Sequence, residues 1–253
     1  VQTCALPISD VDQSLLGDAE GVRQFVDAMR ENRKCATFGI ATGRRLDSAL
    51  AVLRRHGVPR PDVLITSLGT EIYYAPQLIR DEYWNEHVDY LWRPTAVRRV
   101  LADVPGLVPQ PKIEQSRLKV SYLYDPERAP SIEDIAALLR SQDLTANPIY
   151  SFGQFLDVIP SRASKGQALR FVAQRWGIPL EQILVAGGSG ADEDMMRGNT
   201  LAVVVENRHG EELSQLEDVE RIYFAGRPHA LGILEAIDHY DFFGSCVLPP
   251  APS

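Results

Sequence analysis

Strand-length apolar runs alternate with segments of helical period at both ends of this chain but not in its middle. That pattern restricts it to a mostly parallel α/β sheet carrying an insertion. Near the start, Gly21 to Asn32 places Val22, Phe25, Val26 and Met29 at helical spacing, and a strand-like run follows from Ala36 to Ala41. A turn at Thr42-Gly43, a second helix through Ala49, Leu50 and Leu53, and a strand over Asp62 to Thr66 continue the rhythm. It resumes after Lys165, with a helix through Leu169, Phe171 and Val172 and strands at Ile183 to Ala186 and Leu201 to Val205. Uninterrupted apolar strands of this kind belong to a sheet covered on both faces. The stretch between reads differently, with Trp84, Tyr90 and Trp92, helices near Ala96 to Leu101 and Ser131 to Arg140, and strands at Lys119 to Tyr124 and Phe155 to Ile159. We therefore expect an α/β core over residues 9–80 and 160–243, an α/β cap over 81–159, and a loose proline-rich tail over 244–253.

The first eight residues, Val1 to Ile8, match what one frame of a sequencing adapter translates to, and no initiator Met precedes them. Pro7 would also fall where a central strand should run, a place that tolerates proline poorly. The expectation is that residues 1–8 are non-native and that the native sequence begins near Ser9, as a piece of a longer reading frame. The net charge of −8 argues against nucleic acid or an anionic membrane surface as partner. No apolar run reaches the ~18 residues of a membrane span. Cys4, Cys35 and Cys246 follow no metal-binding spacing, and their odd number suits a reducing, cytoplasmic setting.

Chemistry concentrates in four places. Asp10 and Asp12 stand one residue apart after an expected strand, where both can face the crevice at the strand ends. One carboxylate can attack phosphorus while the other handles the leaving-group proton. Thr42-Gly43-Arg44, between a strand and a helix, offers a hydroxyl and main-chain N–H groups to an anion, although a Thr helix cap has the same pattern. Lys165 opens another helix, where a cation opposes the helix dipole unless it serves something anionic. The glycine-rich loop Gly187-Gly188-Ser189-Gly190-Ala191-Asp192 fails as a nucleophile elbow at Ala191, and as a dinucleotide fingerprint at Glu193. As an acidic loop facing Asp10 it offers Asp192, and the order of the four elements favours that reading.

In that order the chain resembles the haloacid-dehalogenase superfamily of phosphohydrolases, with a Rossmann-like core and an inserted α/β cap. Ser9 to Asp18, Leu68 to Tyr73 and Gln115 to Tyr122 are similar to the sucrose-6-phosphate phosphatase family. The run Gly187 to Asn207 resembles the phosphatase-like C-terminal domain of bacterial sucrose-phosphate synthases. The resemblance implies Asp10 as nucleophile, Asp12 as general acid and base, and Thr42 and Lys165 as phosphoryl contacts. It implies Mg²⁺ held by Asp10, the Asp12 carbonyl and Asp192, and sugar phosphate contacts from Gly43, Arg44, Ser189, Gln115 and Lys119. It also implies sucrose-6-phosphate as substrate and, in a full-length chain, an upstream glycosyltransferase domain. Trp84 and Trp92 are read as buried aromatics rather than sugar platforms. One departure stands out. The family's loop reads Gly-Asp-Ser-Gly-Asn-Asp, so Gly188 removes a metal-binding acid and Ala191 a polar partner. This keeps a second expectation alive, a weak or inactive sugar-phosphate-binding or regulatory domain.

Overall fold

The protein is described here as a computed structural model covering residues 5–216, 219 and 221–244. From the N-terminus the elements are β1 (Leu6–Ser9), α1 (Ala19–Glu31), β2 (Gly39–Ala41), α2 (Leu46–Arg55), β3 (Val63–Thr66), β4 (Glu71–Tyr74) and β5 (Ile79–Arg80). There follow α3 (Glu82–Asp89), α4 (Pro94–Leu101), β6 (Leu107–Pro109), β7 (Val120–Tyr124), α5 (Ile132–Ser141), β8 (Ala146–Ser151) and β9 (Phe155–Pro160). The chain then forms α6 (Lys165–Trp176), β10 (Ile183–Gly187), α7 (Glu193–Met196), β11 (Leu201–Val204), β12 (Ile222–Phe224) and α8 (His229–His239).

Eight strands form one sheet in the order β12-β11-β10-β1-β2-β3-β4-β5. It is parallel from β12 through β3, and β4 and β5 run antiparallel at the edge. Successive residues of the central strands fall into two separate cores. Ile183, Val185, Ala202 and Val204 pack with Leu169 and Val172 of α6 and Met195 of α7. Leu184, Ala186, Val203 and Ile40 pack with Phe25 of α1, Leu53 of α2 and Ile233 of α8. Covering both faces is why these strands read as continuous apolar runs. Helix α1 begins where Asp18 accepts the Gly21 N–H at 2.6 Å, and it buries Val22, Phe25 and Met29. Helix α6 is closed by Gly177 in the left-handed conformation.

A second, antiparallel sheet runs β6-β7-β9-β8. One face, carrying Val120, Tyr122, Leu156 and Val158, packs on Val97 and Leu101 of α4 and Ile135 and Leu139 of α5. The alternate residues, Ser121, Leu123, Phe155 and Asp157, lie on the opposite face. Trp84 and Trp92 are buried, their indole N–H groups donating to the carbonyls of Gly69 and Arg117.

Pro7 lies inside the central strand, against the expectation from its chemistry. Asp10 donates to Ala186 on the β10 side, so the nitrogens of residues 7 and 9 face β2. On that side the ladder lapses between the Ala5–Ala36 bridge and the Ile8–Gly39 pairing, where Pro7 has no proton to give. The strand expected from Ala36 accordingly begins only at Gly39. Cys35 is a free thiol, half-buried. Cys4 and Cys246, residues 1–4 of the expected foreign segment, and the tail from residue 245 lie outside the described residues. Among the described residues no helix is long and apolar enough to cross a membrane.

Candidate active site

The C-terminal ends of β1, β2 and β10 bring the site together. Asp10, directly after β1, is buried, and its Oδ1 accepts a hydrogen bond from Lys165 Nζ at 2.7 Å. The same ammonium donates to Asp192 Oδ1 at 2.8 Å. Lys165 is held there as the first residue of α6, whose cap is the Ser164 hydroxyl. The anionic partners foreshadowed by a cation at a helix start are thus two carboxylates of the protein itself. Burial pulls on the Lys165 ammonium, but Asp10 and Asp192 outweigh it and hold the group above its ordinary range. Burial pushes the Asp10 carboxyl up to about 7, against the pull of Lys165 and with added repulsion from Asp192. Asp10 Oδ2 is buried without a hydrogen-bond partner.

Asp12 is gripped by Arg44, whose Nε and Nη2 donate to the two carboxylate oxygens at 2.7 and 2.8 Å. Thr42 is fully buried beneath Gly43, and its hydroxyl accepts from the Arg44 N–H at 3.2 Å. Helix α2 starts only at Leu46 with Arg45 at its cap, so Thr42 does not cap it. Opposite lies a tight turn, Ser67-Leu68-Gly69, in which all three residues have positive φ. At Gly69 a Cβ would stand 2.1 Å from the Ser164 carbonyl, so only glycine lets this turn meet the start of α6.

A cavity of about 540 Å³ opens between the two sheets. The core lines it with Asp10, Asp12, Gly43, Arg44, Leu68 and Lys165, and the second sheet and its loops with Gln110, Glu114, Lys119, Phe155 and Asp157. Lys119 and Asp157 are both buried and paired at 3.4 Å, and Asp157 also accepts from the Ser121 hydroxyl. The remaining residues singled out from sequence do not line this cavity. Asp192 has both oxygens engaged, Oδ1 by Lys165 and Oδ2 by the Gly188 N–H, the Ser189 N–H and the Ser189 hydroxyl. Ser189 is buried within that same loop closure. Gln115 spends its amide on the main chain of Gln110 and Ser121, pinning the 110–115 loop to β7. Asp157 was not singled out from sequence, although a carboxylate at the centre of the apolar run Phe155-Leu156-Asp157-Val158-Ile159 is itself a signal.

Among the described residues no group of three or more metal-ligating side chains stands ready for a cation. The carboxylates nevertheless fit one. With Asp12 paired to Arg44, the trio Asp10, Asp192 and Lys165 carries one negative charge in excess once Asp10 ionises, beside the orphaned Asp10 Oδ2.

Residues 4–241 match the family described as sucrose-6F-phosphate phosphohydrolase. The sucrose-phosphatase of Synechocystis sp. PCC6803, solved in complex with sucrose and phosphate, superposes with a TM-score of 0.90 at 30% identity, over 94% of this chain and 98% of that one. A mannosylfructose-phosphate phosphatase of Agrobacterium fabrum is 27% identical over 237 residues, 92% of this chain and 95% of the relative. Sucrose-phosphatase 1 of Nicotiana tabacum is 30% identical over 248 residues, and the chain spans 58% of that protein's length.

Proposed function

The chain belongs to the sucrose-6F-phosphate phosphohydrolase family, with the haloacid-dehalogenase-like α/β fold, and on that premise we propose that it hydrolyses the phosphomonoester of a fructose-containing disaccharide, sucrose-6-phosphate foremost. The observation that carries this reading is the buried, unpartnered Asp10 Oδ2 at the floor of the cavity, with Lys165 fixing the other oxygen.

In this reading the Asp10 carboxylate attacks phosphorus and the bond from phosphorus to the sugar oxygen breaks. Asp12 gives that oxygen its proton. Water then attacks phosphorus, Asp12 takes a proton from it, the bond from phosphorus to the Asp10 oxygen breaks, and inorganic phosphate leaves with Asp10 restored. Arg44 must first exchange Asp12 for the incoming substrate, because its guanidinium occupies both oxygens of that carboxylate. The Thr42-Gly43 loop and Lys165 receive the phosphoryl oxygens, and the Lys119–Asp157 pair of the cap faces the sugar. Mg²⁺, where bound, would be held by the Asp10 carboxylate and the Asp12 main-chain carbonyl, with water in the place an acid at position 188 would take; it supplies positive charge against the phosphoryl oxygens.

The second reading, a sugar-phosphate-binding or regulatory domain that turns over slowly or not at all, is favoured by one observation. Gly188 offers no side chain to a metal, and Asp192 is already committed to loop closure. Phosphate release from sucrose-6-phosphate and from mannosylfructose phosphate, with Mg²⁺ and with Asp10→Asn as control, separates the two. Release that vanishes in the control is expected; release no greater than the control leaves the binding domain.

A further inference from the structure

The segment after β11 touches three functional loops at once. The His209 N–H donates to the Gly188 carbonyl at 2.8 Å, and its ring reaches Gln13 Oε1 at 3.1 Å. That ring also meets Phe152 edge-on at 5.3 Å between centroids. Three residues on, the Glu212 carboxylate bridges two main-chain amides from different parts of the molecule. Oε2 accepts the Gly190 N–H at 2.6 Å, in the loop that closes on Asp192, and Oε1 accepts the Gly153 N–H at 2.8 Å, in the turn between β8 and β9 of the cap. An independent observation marks the same junction. A Cβ at position 190 would stand 2.7 Å from the Tyr150 carbonyl, so a glycine is needed where the cap main chain meets this loop.

We propose that Glu212 is a positioning residue that seats the cap on the core. Its carboxylate ties the cap turn at Phe152-Gly153 to the loop running from Gly188 to Asp192, so that the cap is held in place over the cavity. Hydrogen bonds to an ionised acceptor are the strong ones, and here both belong to a single carboxylate. Phe152 and Gln13 both line the cavity, so the strap also holds two of its walls. The proposal rests on the hydrolase reading only for its kinetic consequence, since the tie exists without substrate.

The test has two readouts. In the free protein, Glu212→Ala should speed hydrogen exchange at both the Gly153 and Gly190 amides by roughly tenfold or more, and leave the amides of β10 unchanged. Glu212→Gln keeps one acceptor oxygen and presents N–H to the other glycine, so one of the two amides should accelerate and the other stay protected. In turnover, Glu212→Ala should raise KM for sucrose-6-phosphate about tenfold while p-nitrophenyl phosphate, too small to span to the cap, is hydrolysed within about twofold of the unsubstituted rate. Unchanged exchange at either glycine in Glu212→Ala overturns the proposal, as does equal acceleration throughout β10 or an equal loss with both substrates. A chain that releases no phosphate at all refutes the hydrolase reading, and the exchange result still decides the role of Glu212.

Discussion

At the scale of single residues, the site is a contest over one ammonium. Lys165 is shared between two carboxylates from distant parts of the sequence, Asp10 and Asp192, and all three side chains are buried. Lys165→Met would leave both acids facing each other without a cation. Removing one partner of a buried ion pair typically destabilises by about 3–5 kcal/mol, so urea unfolding should show a loss of that order, together with loss of phosphate release. A variant as stable as the parent would mean that the acids are not charged together. Gly188 poses the opposite question, what an added acid would do. A Cβ there would lie 3.0 Å from Val205 Cγ2 and 3.5 Å from the Arg208 Cα, a tight fit that a small shift of one valine methyl relieves. The Gly188 N–H that holds Asp192 survives the change. Gly188→Asp should therefore lower the Mg²⁺ concentration for half-maximal phosphate release roughly tenfold, read by Mg²⁺ titration. An unchanged requirement would show that the loop aims position 188 away from the metal.

At the scale of elements, short glycine turns fix how the strands present these residues. The turn at Gly69 combines φ +90° with backbone 2.1 Å from a would-be Cβ, whereas Gly57 has φ +72° and nothing within 4 Å. Gly57→Ala should lose only the backbone preference, about 1 kcal/mol, and Gly69→Ala that and a clash with the cap of α6, well over 3 kcal/mol. Equal losses in denaturant unfolding would dismiss the clash. The same contrast marks what a sequence reader can see. The central strands and α1, α2, α4, α5 and α6 announce themselves through period and caps, and Asp10, Asp12 and Lys165 through their place after strands or at a helix start. Strand β8 hides because Pro148 sits in it, tolerable only because β8 is a sheet edge. Pro7 misleads for the converse reason, since a central strand accepts it where one side of the ladder lapses. Gln115 and Ser189 look like ligand contacts in a one-dimensional motif, but main-chain and carboxylate partners that only the fold supplies have already claimed them. Asp157 escapes because its partner Lys119 lies across a strand pairing, 38 residues away in the chain.

At the scale of the whole molecule, a buried negative charge in excess is a stability debt that depends on pH. Asp10 ionises near 3.8 when exposed but holds its proton up to about 7 in the folded site, chiefly because burial disfavours the carboxylate. Between these values the folded chain binds more protons than the unfolded one, so folding stability falls as pH rises. Asp10 therefore favours the fold most fully below about pH 4, and that contribution is spent once the pH passes 7. Asp10→Asn removes this titration while leaving other groups in place, so the comparison isolates it. In EDTA, the thermal midpoint of the parent should fall against that of Asp10→Asn across pH 4 to 7 and run parallel above, a difference of several degrees for a chain of this size. Mg²⁺ at pH 8 should raise the parent midpoint and leave Asp10→Asn nearly unmoved, because a ligand of the folded state stabilises in proportion to its occupancy. Parallel midpoints from pH 4 upward would mean that Lys165 alone satisfies Asp10. A pH-dependent gap that Mg²⁺ fails to close would mean that the metal takes no hold on Asp10, as the second reading expects.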